Sequence, residues 1–409
     1  MPPTPSPTLS PPTAAAAPSL RVLSIGMGWQ PEQPGNGLDR VYHALATHLP
    51  DAGVDVRGVV AGSPAVASST GGRVAAFGPE AASLPGRLRT LRRAVRARLA
   101  EAPVDLVATH FALHTAPVLD LIRAHPLVVH FHGPWAQESA VEGESAWKVR
   151  VKAAVERLVY RRGTRCVVLS EAFRRVLVED YGVDGARIHV IPGGTDVARF
   201  RTGVSRAAAR ARLDWPADRP TVLAVRRLVP RMGLENLVGA ARRLRAAVPD
   251  ALLLIAGKGP LAPVLTARIE AEGLSDTVRL LGYVPDALLP YAYRAADLTV
   301  VPTAALEGFG LITVESLAAG TPALVTPVGG LPETVRGLSP RLVLPDASVE
   351  GLSAGLIGAL TGTLPLPSDE ECRAYAHRHF NWPAVARRVH DVYAAAVQDA
   401  PSSSGPPRP

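Results

Sequence analysis

Lysine is nearly missing from this chain of 409 residues: Lys148, Lys152 and Lys258 are the only three, and arginine carries the remaining positive charge. A GC-rich coding bias accounts for that exchange, so the formal net charge of +8 does not by itself mark a polyanion-binding protein. The basic residues scatter through both halves and no nucleic-acid-reading motif accompanies them, so nucleic acid is not an expected partner. Cysteine is equally sparse. Cys166 and Cys372 are too few for a disulfide framework or a thiolate metal cluster, and read as small apolar fillers in a reducing compartment. No apolar run reaches the length of a membrane span. The opening "MPPTPSPTLSPPTAAAAPS" lacks the charged start and apolar core of a signal peptide. It and the closing "APSSSGPPRP" read as Pro-rich flexible tails, residues 1–19 and 400–409. A cytoplasmic location is the expectation.

What is present is an alternation of short β-branched runs with helical patterns. In the first half the expected strands are "LRVLSIG" (20–26), "VDVRGVV" (54–60), "VDLVATH" (104–110), "PLVVHFH" (126–132), "RCVVLS" (165–170) and "RIHVIP" (187–192). In the second they are "PTVLAVR" (220–226), "ALLLIAG" (251–257), "VRLLGYV" (278–284), "DLTVVP" (297–302), "PALVTP" (322–327) and "RLVLP" (341–345). Continuous apolar runs suit parallel strands covered on both faces. Length and pattern together give an α/β protein of two doubly wound domains, with ligands beyond the carboxyl ends of the strands. The first domain is expected over 20–196 and the second over 219–375, joined by a polar stretch, 197–218, without strand signal.

The stretch "LEGFGLITVESLAAGTP" (306–322) places Glu307 and Glu315 on either side of a Gly-Phe-Gly turn that opens a helix. The first turn of a helix offers unpaired amides and partial positive charge to a phosphate. A carboxylate in the position of Glu315 can take both hydroxyls of a ribose. From spacing alone, a surface carboxylate and an ordinary helix cap explain the same residues.

"EGFGLITVE" followed by "AAGTPALVTPVGGLPE" resembles the E-x7-E motif and downstream glycine turn of the retaining glycosyltransferases of family 4. The resemblance covers roughly residues 20 to 395. It implies the GT-B architecture, two facing Rossmann-like domains, with terminal helices over 376–399 crossing back to the first. It also implies that Glu307 sits near the transferred sugar and Glu315 holds the nucleotide ribose. The backbone of Gly308, Phe309, Gly310 and Leu311 would meet the diphosphate. "VIPGGTDVARF" is similar to the family's Pro-Asn-Gly-x-Asp segment, with Gly193 for the Asn, and "IAGKGP" to its Gly-x-Gly-Pro turn. "LLGYVPDALLPYAYRAADLTVVPT" is similar to the stretch that packs near the base.

The diphosphate clamp departs from the family pattern. Where relatives commonly read Gly-Arg-Leu and then Lys-Gly, this chain reads "AVRRLVPRMGLENL". Arg227 keeps the arginine, Arg226 replaces the glycine and Met232 stands at the lysine. Arg231 or Lys258 is the expected source of the missing charge. "GWQPEQPGNGLDRVYHAL" resembles the glycine-rich loop that enters the first helix, with Asn36 and Gly37 at the usual Gly-Gly pair. In "VVHFHGPW", strand alternation puts His130 and His132 on one face. By resemblance His132 faces the donor sugar, while His130 reads as a core histidine. His110 and His114, in "THFALHTAP", end the preceding strand and are candidates for the acceptor pocket. No carboxylate or thiol completes a metal set with these histidines, and no Asp-x-Asp occurs, so neither a metal nor a cofactor is implied.

"LPGRLRTLRRAVRARLAEA" sets Leu84, Leu88, Leu91, Val95 and Leu99 on one helical stripe among six arginines. The stripe either covers the sheet or rests on the inner membrane surface as a peripheral contact over 84–99. The expected activity is transfer of a sugar from a nucleotide-diphosphate sugar to a hydroxyl of a glycan, lipid-linked or small-metabolite acceptor. Two alternatives stay open. One is a glycoside hydrolase using Glu307 and Glu315 as acid and base; the other is a catalytically altered nucleotide-sugar-binding protein, suggested by Met232.

Overall fold

A computed structural model describes residues 20–30, 37–79 and 81–399; the expected tails and Asn36 lie outside the described residues. The first domain is built on β1 (Leu20–Ile25), β2 (Val54–Val60), β3 (Val74–Ala76), β4 (Leu106–Thr109), β5 (Leu127–Phe131), β6 (Arg165–Val168) and β7 (Ile188–Val190). They form one sheet in the order β3-β2-β1-β4-β5-β6-β7, with every pairing parallel. The second carries β8 (Thr221–Val225), β9 (Leu252–Ala256), β10 (Val278–Gly282), β11 (Leu298–Val301) and β12 (Ala323–Val325) in the parallel order β10-β9-β8-β11-β12. These are two Rossmann-like domains whose strand order reverses between β1 and β4 and between β8 and β11.

Two details differ from the sequence expectation. β3 is an added edge strand of three residues, too short to give a periodic signal. Conversely, "RLVLP" is not a strand. Pro340 opens a tight turn over Pro340–Leu342, and only Val343 bridges to Val325, so the second sheet stops at five strands.

The polar stretch between the domains belongs physically to the second. Phe200 joins its core, and Arg210 is buried with its guanidinium on Asp297 at 2.6 Å. At the other end, helix Asp369–His379 packs on helix Leu311–Ala319 of the second domain. The chain crosses over at Phe380 and Asn381, not at 375–376, which falls inside that helix. Helix Trp382–Gln398 then buries Trp382, Val385, Ala386, Val389, Val392 and Tyr393 against Leu20, Val22, Val41 and Leu45 of the first domain. This i, i+3, i+4 face is apolar along its length, and each buried Val or Leu contributes about 1.5–3 kcal/mol. The tie makes the two domains share one terminal strap.

Helix Leu84–Glu101 turns its stripe to the sheet: Leu91 and Val95 are wholly buried, Leu88 and Leu99 pack at the margin, and only Leu84 is exposed. Its apolar face is consumed by the core and is not available to a membrane. No helix among the described residues is long and apolar enough to cross one.

Candidate active site

The carboxyl ends of β8 and β11 lead into the loops that hold the second domain's candidate residues. β11 runs out through Thr303 to Leu306, whose φ of +54° is rare for a branched side chain and costs of order 1–3 kcal/mol. The Leu306 carbonyl is held by Arg231 Nη1 at 2.9 Å, which fixes the turn that presents Glu307. Gly310 caps the following helix with φ +81°, and a Cβ there would meet Leu331 at 2.4 Å. Across the turn, Gly329 has φ +55°, and a Cβ on it would lie 1.8 Å from the Glu307 carbonyl oxygen. The downstream glycine pair is therefore the floor on which Glu307 rests, with Gly330 N donating to Glu307 O at 2.9 Å.

Helix Leu311–Ala319 starts from this floor. Within the described chain, the backbone amides of Gly308, Phe309, Gly310 and Leu311 donate to no carbonyl or side chain. Four adjacent unfilled donors at a helix N-terminus form a ready anion site. The Phe309 ring takes no part: it is buried with Val314 and Phe380. Gly193, standing where relatives have Asn, lets that backbone close on Phe309, since a Cβ would come within 3.0 Å of its ring.

Both glutamates are engaged. Glu307 Oε2 accepts from Arg226 Nη2 at 2.7 Å, and the same nitrogen contacts the Thr303 hydroxyl. Glu315, 6% exposed, accepts from Arg40 Nη1 at 2.9 Å on one oxygen and from the Tyr293 hydroxyl at 3.0 Å on the other. Each carboxylate oxygen keeps a second acceptor position, so Glu315 can still receive two hydroxyls. Burial raises its pKa; Arg40, and then Tyr293, oppose that rise. Arg40 also donates to Asp286 at 2.8 Å, at the end of the segment after β10, where Gln30 of the first domain and Arg199 gather as well.

The cations of the altered clamp divide sharply. Arg227 is exposed and makes no side-chain hydrogen bond among the described residues. Its pKa is lowered by crowding from surrounding protein and then by Arg231, against the pull of Glu138, Glu142 and Glu307. Arg231 is buried and spans the cleft to Glu138 at 3.3 Å and Glu142 at 3.6 Å. Lys258 is exposed, its Nζ 5.6 Å over the Tyr283 ring. Met232 is 4% exposed within the second core, so its thioether fills the space a lysine stem would take and puts no charge in the cleft.

From the first domain, β4 and β5 deliver three stacked imidazoles. His110 lies 4.3 Å from His130 and 5.2 Å from His132, ring centroid to centroid. His132 Nε2 shares a proton with His110 Nδ1 at 2.9 Å, and His130 Nε2 lies 2.7 Å from the Tyr393 hydroxyl of the terminal strap. Burial pushes His132 down to about 4 and His130 to about 3, so both are neutral near pH 7. His132 Nδ1 is buried without a partner in the described chain. The stack is columnar rather than convergent, and no group of three His, Cys, Asp or Glu among the described residues is arranged to hold a metal ion. His114 is separate, with Nδ1 on the Gly26 carbonyl at 3.0 Å. Gly37 opens helix Gly37–His48, where a Cβ would meet no described residue within 4 Å.

Sequence reasoning missed Arg40, Tyr293, Glu138 and Glu142, which carry no motif. It noticed Arg226 only as a lost glycine. A charged residue substituted for glycine beside Arg227 was the one available signal that a carboxylate lies opposite.

The profile of the family described as "Glycosyl transferases group 1" matches residues 205–379, and that described as "Glycosyltransferase Family 4" matches 35–199. The D-inositol 3-phosphate glycosyltransferase of Kineococcus radiotolerans is 31% identical over 91% of this chain and 94% of that protein. The protein of the same name from Nocardia farcinica is 32% identical over 96% and 88%. Among solved structures, sucrose-phosphate synthase of Thermosynechococcus elongatus superposes with a TM-score of 0.75 at 22% identity, over 92% of this chain and 98% of that one. HepE of Anabaena, solved with UDP and glucose, gives 0.75 at 20% identity, over 92% and 100%. At such identities the structural likeness speaks to the fold alone, which is GT-B.

Proposed function

The chain belongs to the group 1, family 4 glycosyltransferases, and from that membership we propose that it moves a sugar from a nucleotide-diphosphate sugar to an acceptor hydroxyl with retention of anomeric configuration. The observation that carries this reading is the row of four unfilled amides between Glu307 and Glu315. A diphosphate seated on Gly308–Leu311 brings the ribose toward Glu315 and the sugar toward Glu307. Arg227 meets the departing diphosphate as its charge grows, the type of interaction that dominates such barriers. Arg231 is held across the cleft by Glu138 and Arg226 by Glu307, so exposed Lys258 is the second cation still able to turn to the diphosphate. No metal is required in this scheme.

His132 approaches the sugar from the opposite domain with its free Nδ1. As a neutral imidazole it exchanges a hydrogen bond with a sugar hydroxyl and adds no charge. Glu307 supports the developing cationic sugar. Its ion pair with Arg226 makes it a poor nucleophile, so no covalent intermediate is invoked. The acceptor enters from the first domain. A polyol phosphate of the kind named for the relatives is the first to try, followed by glycan and lipid-linked hydroxyls.

Met232 favours one other reading, a nucleotide-sugar-binding protein that no longer transfers. Incubation with a panel of nucleotide sugars and acceptors, with NMR of the anomeric coupling in any product, separates the two. A product of retained configuration supports transfer; donor binding without a product across the panel supports the binding protein; inverted product defeats the retaining assignment.

A further inference from the structure

Helix Ala146–Arg162 carries the three most exposed large apolar side chains of the described residues: Trp147 at 64%, Leu158 at 57% and Val151 at 54%. With exposed Ala154 they follow i, i+4, i+7, i+11 and fall within about 60° of the helix circumference, over roughly 17 Å of its length. Exposed cations flank the stripe, Arg150, Arg157 and Arg161 on one side and Lys148 and Arg162 on the other; Arg157, Arg161 and Arg162 each also donate one N–H to a backbone carbonyl, of Asp180, Tyr181 and Arg123. The helix's only acid, Glu156, is wholly buried on the opposite face, where it accepts from the Trp135 and Ala136 amides and the Tyr160 and Tyr181 hydroxyls. Glu144, just before the helix, is held by Lys148 and Lys152. The outward face is therefore apolar along its centre and cationic along both margins, and the helix itself adds no exposed acid to it, although exposed Asp180 of the neighbouring helix cap lies beside Arg157.

We infer that this face seats the protein on an anionic lipid surface, the helix lying in the interface with its long cationic side chains reaching to headgroups. The pattern is that of an interfacial helix: an apolar ridge narrow enough to stay soluble, with basic margins that attract anionic lipid. It differs from helix Leu84–Glu101, whose six arginines match this helix's four arginines and two lysines in charge but whose leucines are spent on the sheet. A second copy fits poorly. Four side chains fall short of a stable dimer's area, and paired faces would set two cationic margins against each other. The neighbouring helix Trp135–Val141, with exposed Val141, packs on this one and leads to Glu138 and Glu142 at the cleft. Docking this face would thus bring the acceptor side of the cleft next to the membrane. The inference stands apart from the proposed chemistry, because lipid binding is read without any transfer.

The test is sedimentation of the full chain with vesicles of phosphatidylcholine alone or mixed with phosphatidylglycerol, beside the W147S/V151S/L158S variant. All three positions are exposed, and a melting curve matching the parent establishes that the variant folds. Expected is binding to the mixed vesicles only, lost about tenfold or more in the variant. It should also weaken as added salt shortens the Debye length from about 10 Å toward about 3 Å. No binding to the mixed vesicles, or equal binding by parent and variant, overturns the inference. So does a dimer in light scattering that the substitutions dissolve while vesicle binding is absent.

Discussion

Arg40, on the first helix of the first domain, donates to Glu315 of the second at 2.9 Å, while its other terminal nitrogen holds Asp286 at 2.8 Å. The contact does two things at once. It closes the domains over the proposed nucleotide site, and its charge opposes the rise in the Glu315 pKa that loss of water causes. A protonated Glu315 would present a donor where a ribose needs acceptors.

Arg40→Ala should therefore weaken nucleotide-diphosphate binding about tenfold near neutral pH, and the loss should deepen as pH falls and Glu315 takes up its proton. Arg40→Lys, which keeps the charge, should recover much of the affinity. Isothermal titration at several pH values reads this directly. An Arg40→Ala protein whose affinity is unchanged and flat with pH would detach Arg40 from the site.

Arg226 and Glu307 should behave as a unit. Removing the Glu307 charge with Glu307→Gln is expected to cost about 10²–10³ in kcat. Arg226→Gln alone should cost less, and the double variant little more than Glu307→Gln, a coupling of about 1–3 kcal/mol in kcat/KM. Additive losses would mean that the 2.7 Å pair has no part in the reaction.

Gly329→Ala tests the floor under Glu307. Its backbone is left-handed and the new Cβ would press on the Glu307 carbonyl, so the turn has to move. A loss of at least about tenfold in kcat/KM is expected, with a stability cost of roughly 1–3 kcal/mol. Full activity at unchanged melting temperature would show that Glu307 does not depend on that turn.

The histidine column should set an acid limit on stability. Its folded pKa values, about 4 for His132 and about 3 for His130, lie below the unfolded value of 6.5. Between those values the unfolded chain binds more protons, so stability that is complete above about pH 6.5 drains away as pH falls toward 4. His132 alone accounts for roughly 3 kcal/mol of that slope. His130→Asn, placed in denaturant titrations from pH 7 to pH 4, should flatten it; a parallel slope would assign acid loss to other groups.

The strands and the opening Glu-Gly-Phe-Gly stretch were legible because each is local: apolar runs, glycines and a helix start lie within a few residues of one another. β3 was not, since three residues carry no period, and "RLVLP" misled because an apolar run says nothing of the Pro340 turn that ends its pairing. The site divided along the same line. Glu307 and Glu315 are close in sequence, but the partners that hold them, Arg226 and Arg40, are 81 and 275 positions away. Met232 shows the limit from the other side. Its departure from the family pattern was visible, while its place in the apolar core came only with the fold.

The most direct measurement is calorimetric binding of UDP-, GDP-, ADP- and dTDP-sugars to the parent protein and to Glu315→Gln. At least one donor should bind the parent and lose about tenfold or more in the variant. If none binds, or if the donor that binds does so equally without the Glu315 charge, the site is not where the sugar nucleotide goes.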